Sequence, residues 1–342
     1  MKITRILFLL LLNYISFCKG QAYSHQTSFM FNEPSCYTKY IRTDSVGNIY
    51  FCGMVSNICD IDPGPGVYMI GNSLNQTDIF VAKYTKNLQL IWAYQLGGIF
   101  NESPSSFEID HNGYLYITGS MDSPYIDFNP FSGQYILPKS GSATSFLVKY
   151  DLNFNIKHGF TIAASIFCNI FACKIDKQSN IYLGGRFHGN LIDFDPGANT
   201  FSITTTGYFD SYLAKYDSSG GFIHAAQIGG TKDEMILDFA LDDSANIYSI
   251  GTFSSKDVDF NPSPSATYTV AAKGPWDSFI AKYSKDLDFK LMYTFGDTGS
   301  TAYVSTTFRK IKRIRDNLHI TGGIGKKNNV DFDVSTSNYY IP

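Results

Sequence analysis

The sequence predicts an all-β protein built from tandem repeats, and three observations carry that prediction. Aromatic side chains are frequent, with 24 Tyr, 28 Phe and 2 Trp among 342 residues, whereas charged residues make up only 17%. This composition, with 29 glycines, favours strands and tight turns over helices, which are rich in Lys, Glu, Leu and Ala. A short pattern also recurs at a fixed spacing, and no segment has a convincing helical period.

The recurring pattern centres on a tyrosine in the second predicted strand of each repeat. Successive copies lie 66 residues apart, and an aspartate precedes each tyrosine by six residues. The aspartate–tyrosine pairs are Asp44 and Tyr50, Asp110 and Tyr116, Asp176 and Tyr182, and Asp242 and Tyr248. A Lys-Tyr pair keeps the same register, at Lys83-Tyr84, Lys149-Tyr150, Lys215-Tyr216 and Lys282-Tyr283. Three markers in phase over four repeats indicate a tandem architecture.

The markers divide the chain into four complete repeats and an incomplete fifth. Their approximate bounds are 36–101, 102–167, 168–233, 234–304 and 305–342. The second repeat shows the content of one unit best, with predicted strands at 106–109, 114–119, 145–150 and 156–162. A Pro/Gly-rich excursion with a short strand-like return separates the second strand from the third. Four strands per unit are typical of a propeller blade, so we predict a β-propeller of four-stranded antiparallel blades.

The first twenty residues have the layout of a secretory signal peptide. Two basic residues precede the apolar run 6–12, which is too short to span a bilayer, and small residues follow by Gly20. We expect cleavage after Gly20, which leaves residues 21–342 as the exported propeller, secreted or held at the cell surface. A second interpretation makes Cys18 the lipid-bearing cysteine of a lipoprotein, although Phe17 stands where a small residue is expected.

Composition and motifs limit the function classes. A net charge of -3 argues against a nucleic-acid-binding surface, and no apolar run after the first twenty residues is long enough for a transmembrane helix. The sequence contains no G-x-S-x-G, H-E-x-x-H, P-loop or dinucleotide-binding fingerprint. After removal of Cys18 five cysteines remain, too few for a disulfide framework. We expect these five to be mostly small buried hydrophobic side chains. The alternative is one local bridge, either Cys52–Cys59 or Cys168–Cys173.

Four motifs give the chain a resemblance to a known family. They read Gly47-Asn48-Ile49-Tyr50, Asp193-Phe194-Asp195-Pro196-Gly197, Asp210-Ser211-Tyr212-Leu213-Ala214-Lys215-Tyr216 and Ile228-Gly229-Gly230. In these motifs the chain resembles the seven-bladed beta-propeller (SBBP) repeat family, in the long-repeat variant of exported bacterial proteins. The resemblance implies a propeller fold and export, and it implies no common catalytic residues.

The chain departs from that family in its number of repeats. The fifth repeat stops just past its excursion, without a third or fourth strand. Two interpretations stay open: an unusual five-bladed ring, in which residues 27–31 supply a closing strand, or a shortened piece of a larger propeller.

The excursion loops carry paired oxygen side chains two residues apart. These are Asp60 and Asp62, Asp127 and Asn129, Asp193 and Asp195, Asp259 and Asn261, and Asp331 and Asp333. Side chains at i and i+2 of an extended segment lie on one side, and Ca²⁺ takes six to eight oxygen ligands, so each loop is a candidate calcium site. The alternative is a turn in which the first Asp accepts backbone N–H groups. Calcium is the only cofactor that the sequence suggests.

Residues that break the repeat symmetry are candidates for ligand binding, because one pocket needs particular groups from particular blades. Arg186 and His188 stand where other repeats have small or uncharged residues, or in one case an aspartate. The first strand of the fifth repeat carries five basic residues, Arg309, Lys310, Lys312, Arg313 and Arg315. Such a run can meet an anionic polymer or membrane surface, or it can be a charged strand that resists edge-to-edge aggregation.

The leading functional hypothesis is an exported, non-enzymatic binding or scaffold module with a protein or glycan partner. Repeated, interchangeable loops suit several weak contacts better than one reaction centre. The alternatives are a carbohydrate-active enzyme with carboxylates from several blades around a central channel, and a calcium-dependent glycan binder.

Overall fold

The structure is a computed structural model that describes residues 6–8, 35–72, 76–296 and 306–324. Within these ranges the chain forms strands and turns and no helix, which confirms the all-β prediction. The chain divides into two compact units. Of the described residues, the first unit comprises 35–72, 76–139 and 145–161, and the second comprises 6–8, 140–144, 162–296 and 306–324.

Two four-stranded antiparallel sheets lie largely in the first unit. Strands are numbered along the whole chain, beginning with β1 (Ile6–Phe8) in the second unit. The first sheet has the order β2 (Cys36–Thr43), β3 (Ile49–Val55), β6 (Asp78–Tyr84), β7 (Leu90–Leu96). The second sheet has the order β8 (Glu102–Ile109), β9 (Tyr114–Met121), β12 (Ala143–Asp151), β13 (Ile156–Ala164).

The second unit repeats the same four-stranded sheet twice and begins a third copy. Its first sheet has the order β14 (Phe167–Ile175), β15 (Ile181–His188), β18 (Asp210–Tyr216), β19 (Phe222–Ile228). Its second sheet has the order β20 (Glu234–Leu241), β21 (Ile247–Phe253), β24 (Asp277–Tyr283), β25 (Phe289–Phe295). The third copy consists of β26 (Thr306–Ile314) and β27 (Asn317–Ile324), and β1 pairs in parallel with β27.

Each excursion folds into a small ribbon of two short antiparallel strands. The ribbons are β4 (Cys59–Asp60) with β5 (Met69–Ile70), β10 (Tyr125–Asp127) with β11 (Ile136–Pro138), β16 (Ile192–Asp193) with β17 (Ser202–Ile203), and β22 (Val258–Asp259) with β23 (Thr269–Val270). In the second unit, Ala163 and Ala164 at the end of β13 also pair with β16. The strand-like return that the sequence predicts is therefore confirmed in all four complete repeats.

The aspartate and tyrosine six residues apart are tied together at the turn between the first two strands of each sheet. Asp176 Oδ1 accepts the backbone N–H groups of Gln178 and Asn180, at 2.8 and 2.9 Å. The Tyr182 hydroxyl then donates to Asp176 Oδ2 at 3.3 Å. The other three sheets make the same tyrosine–aspartate bond at 2.9 to 3.4 Å. The spacing of six is thus the geometry of one side chain closing a tight turn from inside.

The lysine and the tyrosine of the Lys-Tyr pair each contact a different neighbour of the third strand. The lysine ammonium lies over the ring of the strand-2 tyrosine, with Lys215 Nζ 5.4 Å from the Tyr182 centroid. The adjacent Tyr216 hydroxyl donates to the carbonyl of Phe194 in the excursion at 2.9 Å. Equivalent lysine–tyrosine contacts and tyrosine–carbonyl bonds occur in the other three sheets. The marker therefore holds the excursion ribbon and the sheet together.

Hydrophobic cores lie between successive sheets within each unit. Every residue of β6 and of β18 is buried, as expected for strands covered on both faces. One core joins side chains of the first two sheets, and another joins side chains of the third and fourth sheets. Face-to-face packing of this kind helps to account for the low charge of the chain, since inner strands such as β6 and β18 are buried on both faces. The outer strand β2 instead alternates between exposed and partly buried residues.

The structure contains one disulfide among its described residues, Cys36–Cys59, with the Cα atoms 6.4 Å apart. Cys52, Cys168 and Cys173 are buried, as the sequence predicts, and lie outside this disulfide. The two pairs offered as alternatives, Cys52–Cys59 and Cys168–Cys173, are therefore wrong. Cys168 and Cys173 lie on one extended strand, in which five residues span about 16 Å. The antiparallel register instead places Cys36 opposite Val55, next to the turn that leads to Cys59.

We expect the disulfide to stabilise the first sheet. It closes a loop of 23 residues, for which chain entropy predicts a contribution of about 3 kcal/mol to the free energy of unfolding. Reduction of the wild-type protein should lower its urea midpoint, and the Cys36→Ala/Cys59→Ala variant should show the lower midpoint with or without reductant. An unchanged midpoint on reduction would contradict the pairing.

Candidate functional site

The excursion loops use the first aspartate of each pair as a backbone acceptor. Asp193 Oδ1 accepts the N–H of Asp195 at 3.0 Å and that of Phe201 at 2.8 Å. Asp60, Asp127 and Asp259 make the same pair of bonds in their own loops. One oxygen of each of these carboxylates is therefore committed to its turn. Asp331 and Asp333 lie outside the described residues.

The second member of each pair continues the turn. Asp62 and Asp195 each accept the N–H of a glycine two residues on at 2.8 Å, and Asn129 and Asn261 accept the corresponding N–H at 3.1 Å. Across residues 35–72, 76–296 and 306–324, no group of three or more His, Cys, Asp or Glu side chains is placed to hold a metal ion.

A pair of buried carboxyl groups, which sequence reasoning missed, joins successive sheets. In the second unit these are Asp210, at the start of β18, and Glu234, at the start of β20, both 0% exposed. Glu234 accepts the Gly230 N–H at 2.8 Å and the Ser255 hydroxyl at 2.5 Å. Asp210 Oδ2 accepts the Thr206 N–H at 2.7 Å, whereas its Oδ1 is buried without a hydrogen-bond partner.

The first unit contains the same arrangement in Asp78 and Glu102. Glu102 accepts the N–H groups of Gly98 and Ser123 at 2.9 and 3.1 Å, and Asp78 Oδ1 is again buried without a partner. We call Asp78–Glu102 and Asp210–Glu234 the carboxyl pairs. The equivalent positions of the second repeat hold Thr144 and Cys168, so the pair is present in the first and third repeats and absent from the second.

The carboxyl pairs explain the Ile-Gly-Gly motif. A Cβ atom at Gly229 would lie 2.4 Å from Asp210 Oδ2, and one at Gly230 would lie 2.6 Å from Ser255 Cβ. A Cβ atom at Gly97 would lie 2.1 Å from Asp78 Oδ1. These distances are too short for any side chain, so the backbone approaches the carboxyl pair where only glycine fits.

Burial changes the protonation of the carboxyl pairs. Loss of solvation raises the pKa of Glu234 to about 7, and the nearby Asp210 carboxylate acts in the same direction. Burial also raises the pKa of Asp210, Asp78 and Glu102. These carboxyl groups therefore hold their protons to a higher pH than exposed carboxyl groups do.

The symmetry-breaking residues Arg186 and His188 come together with aromatic rings of the same sheet. The Arg186 guanidinium carbon lies 4.2 Å from the ring centroid of Phe209 and 5.3 Å from that of Phe167. The His188 ring lies 4.7 Å from the ring of Tyr208, and its Nδ1 contacts the Tyr208 carbonyl. We call these five residues the arginine–aromatic cluster.

The basic run of the fifth repeat lies on β26, an outer strand of its sheet, and on the turn that follows. Arg309, Lys310, Lys312 and Arg315 are exposed. Lys310 lies 3.6 Å from Asp238, and Arg313 lies 2.9 Å from Asp243 in an ion pair. Two of the five cations thus already have acidic partners in the preceding sheet, which favours the interpretation of a charged edge strand.

Replacement of Asp193 tests whether the excursion loops are turns or calcium sites. A turn needs only an acceptor, so Asp193→Asn should stay close to wild type, whereas Asp193→Ala should lower the free energy of unfolding by about 1–2 kcal/mol. The measurement is urea unfolding with either excess Ca²⁺ or a chelator. A wild-type midpoint that rises with Ca²⁺, and a rise that Asp193→Asn abolishes, would establish a calcium site.

The Asp210–Glu234 carboxyl pair predicts that the free energy of unfolding falls as pH rises. The pKa of Glu234 is about 7 in the folded protein against an ordinary 4.5, so the folded state retains a proton that the unfolded state loses. Its stabilisation is complete below pH 4.5 and is lost as pH rises to about 7, a change of about 3 kcal/mol. The Glu234→Gln variant should flatten this part of the stability–pH curve, and an equal slope in both proteins would contradict the assignment.

Comparison with known proteins gives a tandem-repeat relative. The chain is 23% identical over 239 residues to the uncharacterized WD repeat-containing protein L264 of Acanthamoeba polyphaga mimivirus, a match that covers 63% of this chain and 17% of that protein. No family model matches the chain. The resemblance to the SBBP repeat family therefore rests on the sequence motifs alone and stays a prediction.

Two solved structures from B. thetaiotaomicron are similar at low scores. One is the extracellular domain of the putative one component system BT4673, with 13% identity, a TM-score of 0.26, and coverage of 87% of this chain and 40% of that one. The other is the extracellular domain of the putative hybrid two component system BT3049, with 7% identity, a TM-score of 0.18, and coverage of 83% and 61%. No helix in the described part of the chain is long and apolar enough to cross a membrane. The strand order and the similarity to a WD repeat-containing protein together indicate an all-β chain of repeated, propeller-like four-stranded sheets.

Proposed function

We propose that this chain is an exported, non-enzymatic β-propeller repeat protein that acts as a binding or scaffold module at the cell surface or outside the cell. One observation carries the proposal. The polar groups that recur from sheet to sheet close turns and fasten the excursions, while Arg186 and His188, which depart from the repeat, meet aromatic rings on one partly exposed surface. A structural frame that presents one irregular surface is what a binding module needs.

Export is supported by the disulfide and by the first twenty residues. Disulfides persist in oxidising compartments outside the cytosol, and Cys36–Cys59 has ordinary Cα spacing for one. The basic, apolar and small-residue order of residues 1–20 matches a cleaved signal peptide. We propose that the mature chain begins at Gln21 and that Cys18 is removed with the signal peptide.

A closed ring of sheets is the usual arrangement of a β-propeller, and we propose a propeller for this chain. Four complete sheets and two strands of a fifth are present. The mimivirus relative is likewise named as a WD repeat-containing protein. The chain spans only 17% of that relative, so both a five-bladed ring and a portion of a larger propeller accommodate the sequence.

The carboxyl pairs do not supply the chemistry of a glycoside hydrolase. Such an enzyme needs two carboxyl groups in contact with the sugar. Asp210 and Glu234 are 0% exposed, and Asp78 and Glu102 are 2% and 1% exposed, so a substrate cannot touch them without separation of the sheets. We therefore favour binding over catalysis, and a protein partner over a glycan, in keeping with the WD-repeat relative.

The experiment compares binding and turnover in one preparation. The mature chain is probed against an array of extracellular proteins and a glycan array, and it is assayed for release of reducing sugar from the same glycans. We expect saturable binding to a protein, no sugar release, and retention of most of the binding in Asp193→Ala, because Asp193 is not part of the arginine–aromatic cluster. Sugar release that a single variant abolishes would replace the proposal with the enzyme.

A further inference from the structure

The arginine–aromatic cluster concentrates departures from the repeat in the third sheet. Four of its residues have different counterparts in every other repeat. The counterparts of Arg186 in the first, second and fourth repeats are Met54, Ser120 and Thr252, and those of His188 are Ser56, Asp122 and Ser254. In the same order of repeats, the counterparts of Tyr208 are Gln76, Ser142 and Pro275, and those of Phe167 are Ser35, Asn101 and Asp233. The four residues gather around one ring, since Arg186, Phe167, His188 and Tyr208 lie 4.2, 5.1, 5.5 and 4.7 Å from the ring centroid of Phe209. Because none of the four recurs, they indicate a role that the third sheet does not share with the others.

The guanidinium of Arg186 is held in place by rings rather than by an acid. It lies over Phe209, Phe167 and Phe171, at 4.2, 5.3 and 5.9 Å from the ring centroids. Its Nε atom is buried without a hydrogen-bond partner. Burial lowers the pKa of Arg186 from its ordinary value, which shows that the charge is poorly solvated where it stands. An arginine in this state gains more from a new carboxylate partner than a freely solvated one does.

At the surface, the Arg186 guanidinium is surrounded by large apolar side chains and one further positive charge. Tyr208 is 59% exposed and Ile166 is 51% exposed, so large apolar groups face solvent beside the cluster. Lys232 is also exposed, and its carbonyl accepts the N–H groups of Tyr208 and Phe209, which fixes it next to the same rings. Asp233 is the one acid near Arg186, and it forms no ion pair with it in the described residues.

We infer that the arginine–aromatic cluster is a docking site for a protein segment in which an acidic side chain is flanked by apolar ones. The inference rests on the proposed function and names the surface and the partner chemistry. The acidic side chain would meet the planar edge of Arg186, which favours paired bonds to a carboxylate, with Lys232 adding attraction. The apolar neighbours would cover Tyr208 and Ile166. Arginine and tyrosine are also the residues that most often dominate the energy of protein interfaces.

The test uses capped heptapeptides in which Glu alternates with Leu, Val or Phe, together with matched peptides in which Gln replaces Glu. Arg186→Met introduces the residue of the first repeat, and Tyr208→Ser introduces that of the second, so both changes have a precedent in this fold. Lys290→Met is the control, because it removes an exposed positive charge elsewhere in the same unit. Thermal unfolding confirms that each variant is folded, and binding is measured by fluorescence anisotropy.

We expect the wild type to prefer the Glu peptides over the Gln peptides by tenfold or more. Arg186→Met should remove that preference, Tyr208→Ser should weaken binding of both sets about fivefold, and Lys290→Met should stay within twofold of wild type. Equal binding by Arg186→Met and wild type would overturn the site and leave the proposed binding function standing. Selective, Arg186-dependent binding of oligogalacturonate without binding of the Glu peptides would overturn the protein segment as the ligand.

Discussion

Each of the four complete sheets depends on the hydrogen bond between an aspartate and the tyrosine six residues later. The carboxylate holds the turn from inside, and the tyrosine ring that reaches it becomes the surface on which the strand-3 lysine rests. The next residue, also a tyrosine, fastens the excursion to the sheet. Removal of any member leaves a buried polar group without its partner, which costs more than the bond itself contributes. The repeat is conserved within the chain because these residues act as one unit.

Much of the fold could be predicted because its determinants are local. The turn aspartate, the tyrosine and the Lys-Tyr pair all act within one repeat, so their spacing survives in the sequence as a period of 66 residues. The excursion ribbons were predictable for the same reason, since Pro and Gly mark their turns. The disulfide was not, because spacing along the chain favoured near neighbours, whereas the sheet register brings Cys36 to Cys59.

The candidate site was predictable only in part. Arg186 and His188 stood out because they break the repeat, yet the rings that hold them are ordinary aromatic residues in a chain rich in them. The carboxyl pairs escaped notice because Asp210 and Glu234 come from different sheets, 24 residues apart, and because burial is a property of packing rather than of sequence. The signal that could have found them is the glutamate that opens the first strand in the second and fourth repeats, at Glu102 and Glu234.

The two carboxyl groups of the carboxyl pairs recur in different ways. Glu102 and Glu234 are 132 residues apart, which is twice the length of one repeat. The aspartate recurs more often, since Asp277 opens the third strand of the fourth repeat as Asp78 and Asp210 open theirs, and it is also 0% exposed. Burial raises the pKa of Asp277 as it raises that of Asp210. Retention of a proton is therefore a property of the residue that opens the third strand in three of the four complete repeats, and the glutamate adds a second such group at two of them.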